Sequence, residues 1–112
     1  RFRKIIERHD DKFAKRVLTD IEYDTYLKST NKEQYLSKCW AVKEAFVKAM
    51  GTGFTGIYKK TGIAYRSSDN SRPFIELSND IAKKVDKYNI KINLSVSDEV
   101  SNAIAFVILE SL

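Results

Sequence analysis

The spacing of apolar and polar residues predicts helices in the first half of the chain. Thr19-x-x-Glu22 has the form of a capping box, which opens a short helix over about residues 20–28. Asn31 then caps a longer helix that ends at about Met50. The apolar residues of this longer helix recur at helical spacing, which indicates core packing; they are Tyr35, Leu36, Cys39, Trp40, Phe46, Val47 and Met50.

The second half of the chain changes to a strand pattern. Strands are predicted at about 62–67, 74–77, 90–96 and 103–109, and a helix at about 80–88. Residues 90–96 alternate between apolar and polar, as in a half-buried strand, whereas residues 103–109 are continuously apolar, as in a central strand. Helices that precede strands predict one α+β domain over residues 1–112, with the N-terminal helices packed on a small antiparallel sheet.

Composition supports one globular domain and excludes several other classes of protein. The 112 residues match the length of one ordinary domain, and a hydrophobic content of 43% is not that of a disordered chain. No apolar run approaches the length of a membrane span. A lone cysteine, Cys39, excludes an internal disulfide, and a lone histidine, His9, excludes a multi-histidine metal site. The beginning is charged and unlike a signal peptide, so the expected location is the cytoplasm.

Positive charge is concentrated at the start of the chain. The net charge is +5, and residues 1–16 hold seven basic and three acidic side chains. Wound as a helix, this segment has a basic stripe beside an apolar one, and the basic stripe contains Arg1, Lys4, Arg8, Lys12 and Lys15. The basic stripe is either a solvated surface or a docking strip for an acidic protein. Nucleic acid is not the expected partner, because no aromatic residues are interleaved with these basic ones.

Two features of the long helix depart from simple core packing. Lys43 falls in the middle of the apolar stripe, where its stem can be buried while its head reaches a rim. Glu44 and Lys48 are neighbours at i,i+4 spacing, which by itself indicates a surface ion pair of a few tenths of a kcal/mol. Positions that break local rules often mark a functional site, so these three residues are candidates for chemistry.

The string around these residues resembles the signature of the 4′-phosphopantetheinyl transferases, and within them the small bacterial holo-acyl-carrier-protein synthases. It reads Trp40-Ala41-x-Lys43-Glu44-Ala45-x-x-Lys48-Ala49-x-Gly51-Thr52-Gly53. Further matches in the same order are Phe13-Ala14-x-Arg16-Val17-Leu18-Thr19-x-x-Glu22, Arg72-Pro73, Leu94-Ser95-Val96-Ser97 and Ala103-x-Ala105-Phe106-Val107. A single K-E-x-x-x-K would be a weak signal, but the ordered set is specific and extends over nearly all of the chain.

The resemblance implies an enzyme that moves the 4′-phosphopantetheine arm from coenzyme A to a serine of apo-acyl carrier protein. It implies a Mg²⁺ ion bound by Glu44, with Lys48 near the phosphates, and therefore Glu44 and Lys48 as the catalytic residues. It implies that coenzyme A contacts Lys43, Lys48, Gly51, Thr52, Gly53, Arg72, Pro73 and Ser97. It also implies a homotrimer with each active site between neighbouring protomers, and an acidic carrier protein that fits the stripe of Arg1, Lys4, Arg8 and Lys12.

Three departures from the family pattern qualify this prediction. The family begins with a strand whose aspartate is the second metal ligand, and we expect that strand and carboxylate upstream of Arg1. Cys39 stands where the family often has an arginine that meets a phosphate, and Asp98 stands where many members have a histidine. The first alternative to a transferase is a non-catalytic basic domain that binds an acidic protein through residues 1–16. A nucleic-acid binder is the second.

Overall fold

The computed structural model describes residues 11–98 and 103–112 of the chain. Three helices come first, and two β-hairpins follow with a further helix between them. The elements are α1 (Lys12–Val17), α2 (Asp20–Lys28), α3 (Lys32–Met50), β1 (Ile63–Ser67), β2 (Pro73–Leu77), α4 (Asn79–Lys87), β3 (Ile90–Asp98) and β4 (Ala103–Ser111), with a 3-10 turn (Lys60–Gly62) before β1. The predicted α+β class is therefore confirmed.

Local side-chain bonds fix the beginnings of α2 and α3 as the sequence predicts. The Thr19 hydroxyl accepts the Glu22 N–H at 3.3 Å, and the Glu22 carboxylate accepts the Thr19 N–H at 2.9 Å, which completes the capping box. The Asn31 side chain accepts the Gln34 N–H at 3.1 Å at the start of α3. Both helices thereby satisfy donors that have no partner within the helix.

The strands form two separate antiparallel hairpins, where the sequence predicted one small sheet. Ile63 of β1 lies opposite Leu77 of β2, and Ile90 of β3 lies opposite Ser111 of β4. The prediction of a central strand at 103–109 is wrong for the described residues, because β4 pairs with β3 alone. Its unbroken apolar run instead supplies two apolar faces, one of which packs against the core while the other is exposed.

Helix α3 joins the two parts of the hydrophobic core. Its first half contributes Leu36 and Cys39 to a cluster with α1 and α2, and its second half contributes Phe46 and Val47 to a cluster with the strands and α4. All four side chains are buried, which confirms the apolar stripe predicted from the sequence. Because α3 is packed along most of its length, the backbone positions from which its remaining polar side chains project are fixed.

The outer face of β4 is apolar and exposed. Ile104, Phe106 and Ile108 alternate along the strand, and Phe106 and Ile108 are 65% and 63% exposed. Apolar patches of this kind usually mark a surface that contacts another molecule. None of the helices within residues 11–98 and 103–112 combines the length and the apolar character needed to cross a bilayer.

The predicted basic stripe falls mostly outside the described residues. Arg1, Lys4 and Arg8 belong to residues 1–10, as does His9. Lys12 is exposed at the beginning of α1, and Lys15 is exposed one turn later. The part of the stripe that the structure describes therefore faces solvent.

Candidate active site

The candidate catalytic pair lies on the second half of α3. The Glu44 carboxylate and the Lys48 ammonium are 3.7 Å apart, and their side chains are 45% and 74% exposed. Both groups project from a helix whose opposite side is buried in the core. An ion pair this exposed contributes little to stability. Because both side chains are exposed, both charged groups are accessible to a ligand.

A tight turn ends α3 three residues after Lys48. Gly51 takes the left-handed conformation, with φ 75°, and its N–H donates to the Lys48 carbonyl at 3.1 Å. The Thr52 N–H donates to the Val47 carbonyl at 3.1 Å, so the helix ends in a Schellman-type closure. Gly53 also has a positive φ, of 61°, which explains why the motif has glycine at both positions.

Aromatic packing holds the segment after this turn against α3. Phe54 lies 6.0 Å from Trp40 between ring centroids, and Trp40 in turn lies 6.1 Å from Phe13 of α1. The Lys60 ammonium lies 4.6 Å above the Phe54 ring and 5.7 Å from the Trp40 ring. Trp40 is one helical turn before Glu44, so this aromatic layer borders the candidate pair.

Lys43 lies inside the protein and not at a rim. Its ammonium is fully buried and donates to the Glu22 carboxylate at 2.6 Å and to the Ile63 carbonyl. Glu22 is also fully buried, and its other carboxylate oxygen accepts the Tyr65 N–H at 2.7 Å. The sequence predicted that the lysine head reaches a pocket, whereas the structure places it in an ion pair that joins α2, α3 and β1.

Arg72 and Pro73 lie on a different element from Glu44. Together with the facing strand β3 they line a cleft of about 500 Å³, whose other residues include Ser68, Phe74, Lys91, Asn93 and Ser95. The Arg72 backbone is bonded within the β1–β2 turn, where its N–H donates to the Ser68 hydroxyl at 3.2 Å. The Arg72 guanidinium and the Lys91 ammonium give this cleft a positive lining that suits an anionic ligand.

The two family departures lie close together. Asp98, at the end of β3, pairs with Lys38 at 3.2 Å, and Lys38 immediately precedes Cys39 on α3. Ser97 is exposed beside this pair. Burial raises the pKa of the Tyr65 hydroxyl, with Lys38 opposing that rise and Cys39 and Asp98 adding to it. Asp98, where many members have a histidine, is therefore paired with Lys38, the neighbour of the position at which the family often has an arginine.

Cys39 is an inert core thiol, as its place in the apolar stripe predicts. The side chain is fully buried. Burial, and then the nearby Glu22 carboxylate, raise the pKa of the Cys39 thiol well above its ordinary value. A neutral thiol without solvent access is neither a nucleophile nor a phosphate ligand.

The described residues offer a metal ion one accessible carboxylate at this site. Within 11–98 and 103–112 no group of three or more His, Cys, Asp or Glu side chains could hold a metal. Mg²⁺ commonly binds one or two protein carboxylates and takes its other ligands from substrate phosphates and water. Glu44, half-exposed beside a lysine, fits an ion that is held in this way.

Comparison with known proteins identifies the family. The model of the 4′-phosphopantetheinyl transferase superfamily matches residues 1–105. The holo-[acyl-carrier-protein] synthase of Dechloromonas aromatica is 37% identical over 110 residues, which cover 98% of this chain and 88% of that protein. The chain belongs to the holo-acyl-carrier-protein synthase family. Both the family and the enzyme class predicted from the sequence are thereby confirmed.

Solved structures of holo-acyl-carrier-protein synthases share the fold. The enzyme from Neisseria meningitidis aligns with a TM-score of 0.90 at 30% identity, over 97% of this chain and 88% of that one. The enzyme from Helicobacter pylori, solved in complex with coenzyme A, aligns with a TM-score of 0.80 at 28% identity, over 97% and 90%. The predicted fold of this family is confirmed.

The sequence did not predict two ion pairs near the site. Glu22 was identified as a capping residue, but its bond to Lys43 was not predicted, although a lysine in an apolar stripe requires a buried acceptor. The Lys38–Asp98 pair joins residues 60 positions apart in the chain, and no local pattern indicates such a pairing.

Proposed function

We propose that this enzyme transfers the 4′-phosphopantetheine group of coenzyme A to a serine of apo-acyl carrier protein and releases adenosine 3′,5′-bisphosphate. The relatives are named for the synthesis of holo-acyl-carrier protein, and the Helicobacter pylori relative was solved with coenzyme A. The observation that carries the proposal is the exposed Glu44–Lys48 pair, 3.7 Å apart beside the Gly51 turn, at the family signature.

The reaction is a displacement at phosphorus. The serine Oγ forms a bond to the phosphorus that carries the pantetheine arm, the pyrophosphate bond breaks, and the serine proton passes to solvent. The bridging oxygen departs with adenosine 3′,5′-bisphosphate. Negative charge on the two phosphates opposes the attack, so a cation positioned beside them accelerates it. Lys48 would supply one such charge, because its ammonium is 74% exposed.

Glu44 is the residue of this chain that would hold Mg²⁺. The ion would supply positive charge to offset the negative charge of the pyrophosphate. The carboxylate is 45% exposed and fixed on a packed helix, which suits a ligand that must meet an ion and a substrate together. The family resemblance implies a second carboxylate ligand beside Glu44.

Coenzyme A would contact two regions of the chain. The backbone of Gly51, Thr52 and Gly53 offers a tight turn beside Lys48, where phosphate oxygens can approach closely because neither glycine has a side chain. Arg72 and Pro73 line the positively charged cleft between β2 and β3, and Ser97 is exposed near the end of β3. Lys43 lies outside this contact set, because its ammonium is buried and bonded to Glu22.

Acyl carrier protein is the proposed macromolecular partner. Arg1, Lys4, Arg8 and Lys12 would receive this acidic protein, because residues 1–16 hold most of the net positive charge and Lys12 is exposed. Exposed charges of this kind raise the rate of encounter more than the final affinity. The cytoplasmic location expected from the sequence stays a prediction.

We propose that the chain assembles as a homotrimer. The outer face of β4 exposes Ile104, Phe106 and Ile108 side by side, and covering that face in a symmetric assembly would remove it from water. The number three comes from the family resemblance, and the apolar face supplies the reason to associate.

Intact-mass spectrometry of the carrier protein tests the transfer. We expect purified enzyme, coenzyme A and Mg²⁺ to add one phosphopantetheine group to apo-acyl carrier protein, with release of adenosine 3′,5′-bisphosphate detected by chromatography. A chelator of divalent ions should abolish both signals. The absence of a mass increase would contradict the transfer. A mass increase that is insensitive to the chelator would contradict the metal dependence.

A further inference from the structure

The buried Glu22–Lys43 pair is the most constrained polar contact in the described structure. Both side chains have no solvent exposure, and the Glu22 carboxylate accepts N–H donors from Thr19, Lys43 and Tyr65 at 2.9, 2.6 and 2.7 Å. These donors belong to the start of α2, to the middle of α3 and to β1. The carboxylate is therefore a fixed point at which three elements meet.

Lys43 connects this fixed point to the candidate catalytic carboxylate. It immediately precedes Glu44, and successive side chains of a helix point about 100° apart. Together with the buried apolar residues of α3, the bond from Lys43 thus helps to fix the rotation of the helix about its axis at the position where Glu44 leaves it. Side-chain tips lie about 5–6 Å from a helix axis, so a rotation of roughly 10° would move the Glu44 carboxylate by about 1 Å.

The same contacts argue against a direct role for Lys43 in binding coenzyme A. The ammonium donates to Glu22 and to the Ile63 carbonyl, and none of it is exposed. A phosphate could reach it only if Glu22 moved, which would also break the contacts of Glu22 with Thr19 and Tyr65. Lys48, one turn further along, is 74% exposed and needs no such change.

We infer that Lys43 and Glu22 are positioning residues for Glu44, which they hold in the direction that a metal ion and coenzyme A require. This inference rests on the proposed function, in which Glu44 binds the metal. Displacements of about 1 Å at a reacting centre can reduce rates about a hundredfold, so removal of the pair should reduce kcat by about tenfold to a hundredfold. Affinity for coenzyme A should change little.

The test compares the Glu22→Gln/Lys43→Met double variant with two single-lysine controls in the full-length protein. The double variant removes both buried charges together, which avoids leaving one of them alone. Lys48→Met removes the exposed lysine of the proposed phosphate site, and Lys83→Met removes an exposed lysine of α4. For each protein we would measure kcat, KM for coenzyme A, and Mn²⁺ affinity with coenzyme A present by electron paramagnetic resonance.

We expect the double variant to bind Mn²⁺ at least about fivefold more weakly, while KM for coenzyme A stays within about twofold of the wild type. Lys48→Met should raise KM for coenzyme A, and Lys83→Met should change none of the three values. A rise in KM with unchanged Mn²⁺ affinity in the double variant would make Lys43 a coenzyme A ligand. Unchanged kcat and Mn²⁺ affinity would make the pair purely structural. Either result overturns the inference.

Two further results separate the possible failures. If the double variant does not fold, Glu22→Asp alone tests the inference with the same readouts, because it keeps both buried charges and shortens the reach of the carboxylate toward Lys43. If the wild type neither transfers the group nor binds Mn²⁺ with coenzyme A, the proposed function fails, and the inference fails with it. If the wild type does both and the double variant equals it, only the inference fails.

Discussion

Replacing Lys43 with methionine should destabilise the fold severely. The substitution keeps an apolar stem of similar length but leaves the Glu22 carboxylate, which has no solvent exposure, without its cation. Breaking a buried ion pair on one side costs about 3–5 kcal/mol, because the remaining charge is neither paired nor hydrated. For a domain near 100 residues each kcal/mol corresponds to roughly 4 °C, so we expect the melting temperature to fall by about 12–20 °C.

The double variant Glu22→Gln/Lys43→Met should recover most of this loss, since neutral side chains of similar shape often replace a buried pair at little cost. Lys48→Met provides the matched control on the same helix, because its exposed pair with Glu44 should contribute no more than about 0.5 kcal/mol. Urea unfolding followed by circular dichroism measures these three variants and Glu22→Gln alone. A cost below about 1 kcal/mol for Lys43→Met, or a double variant as unstable as the sum of both single changes, would refute the reasoning.

Three other predictions follow from the surface and from the buried titratable groups. Phe106→Asp puts a charge on the exposed apolar face of β4 and should convert the proposed trimer to monomers in light scattering; an unchanged mass would exclude that face as the interface. Charge reversal at Arg8 and Lys12 together should reduce kcat/KM for acyl carrier protein by about tenfold to a hundredfold, with a larger loss at low salt, and should leave KM for coenzyme A unchanged. An equal loss of coenzyme A affinity would place docking elsewhere. Burial raises the pKa of both Cys39 and Tyr65, so the unfolded chain loses these protons at a lower pH than the folded protein does. The free energy of unfolding should therefore decline above about pH 8.5. A free energy of unfolding that stays constant with pH in urea titrations would contradict these shifts.

Local sequence patterns predicted the helices well, because the signals that start and end a helix lie within a few residues. Thr19 and Glu22 complete their capping box, and Gly51 ends α3 in the left-handed conformation that favours glycine. The apolar stripe of α3 is buried for the same reason, since one face of an amphipathic helix must pack on something. These features required no knowledge of distant contacts.

Strand pairing was less predictable, because it depends on partners that lie far apart in the chain. The apolar run at 103–109 indicated a central strand, yet β4 has β3 as its only partner within the described residues. An apolar second face is equally consistent with burial inside a sheet and with burial against another molecule, and the sequence does not distinguish the two cases.

The residues of the candidate site that belong to a sequence motif could be predicted. The contacts that those residues make with distant parts of the chain could not. Glu44 and Lys48 are neighbours by helical geometry alone, so their 3.7 Å contact follows from the spacing. Lys43 was recognised as unusual, but its partner lies 21 residues earlier on another helix. Only the packing of α2 and β1 against α3 shows that its ammonium faces inward.

The central claim is that Glu44 holds the metal ion on which the transfer depends. The Glu44→Gln variant tests this claim most directly. The amide keeps the shape of the side chain but removes the anionic oxygen that Mg²⁺ prefers. Glu33→Gln, on the first turn of the same helix, is the matched control. In a time course of carrier-protein mass at limiting Mg²⁺, we expect the control to match the wild type and Glu44→Gln to transfer no detectable phosphopantetheine while melting at the wild-type temperature. Full transfer by a folded Glu44→Gln variant would reduce Glu44 to half of a surface ion pair and contradict the account.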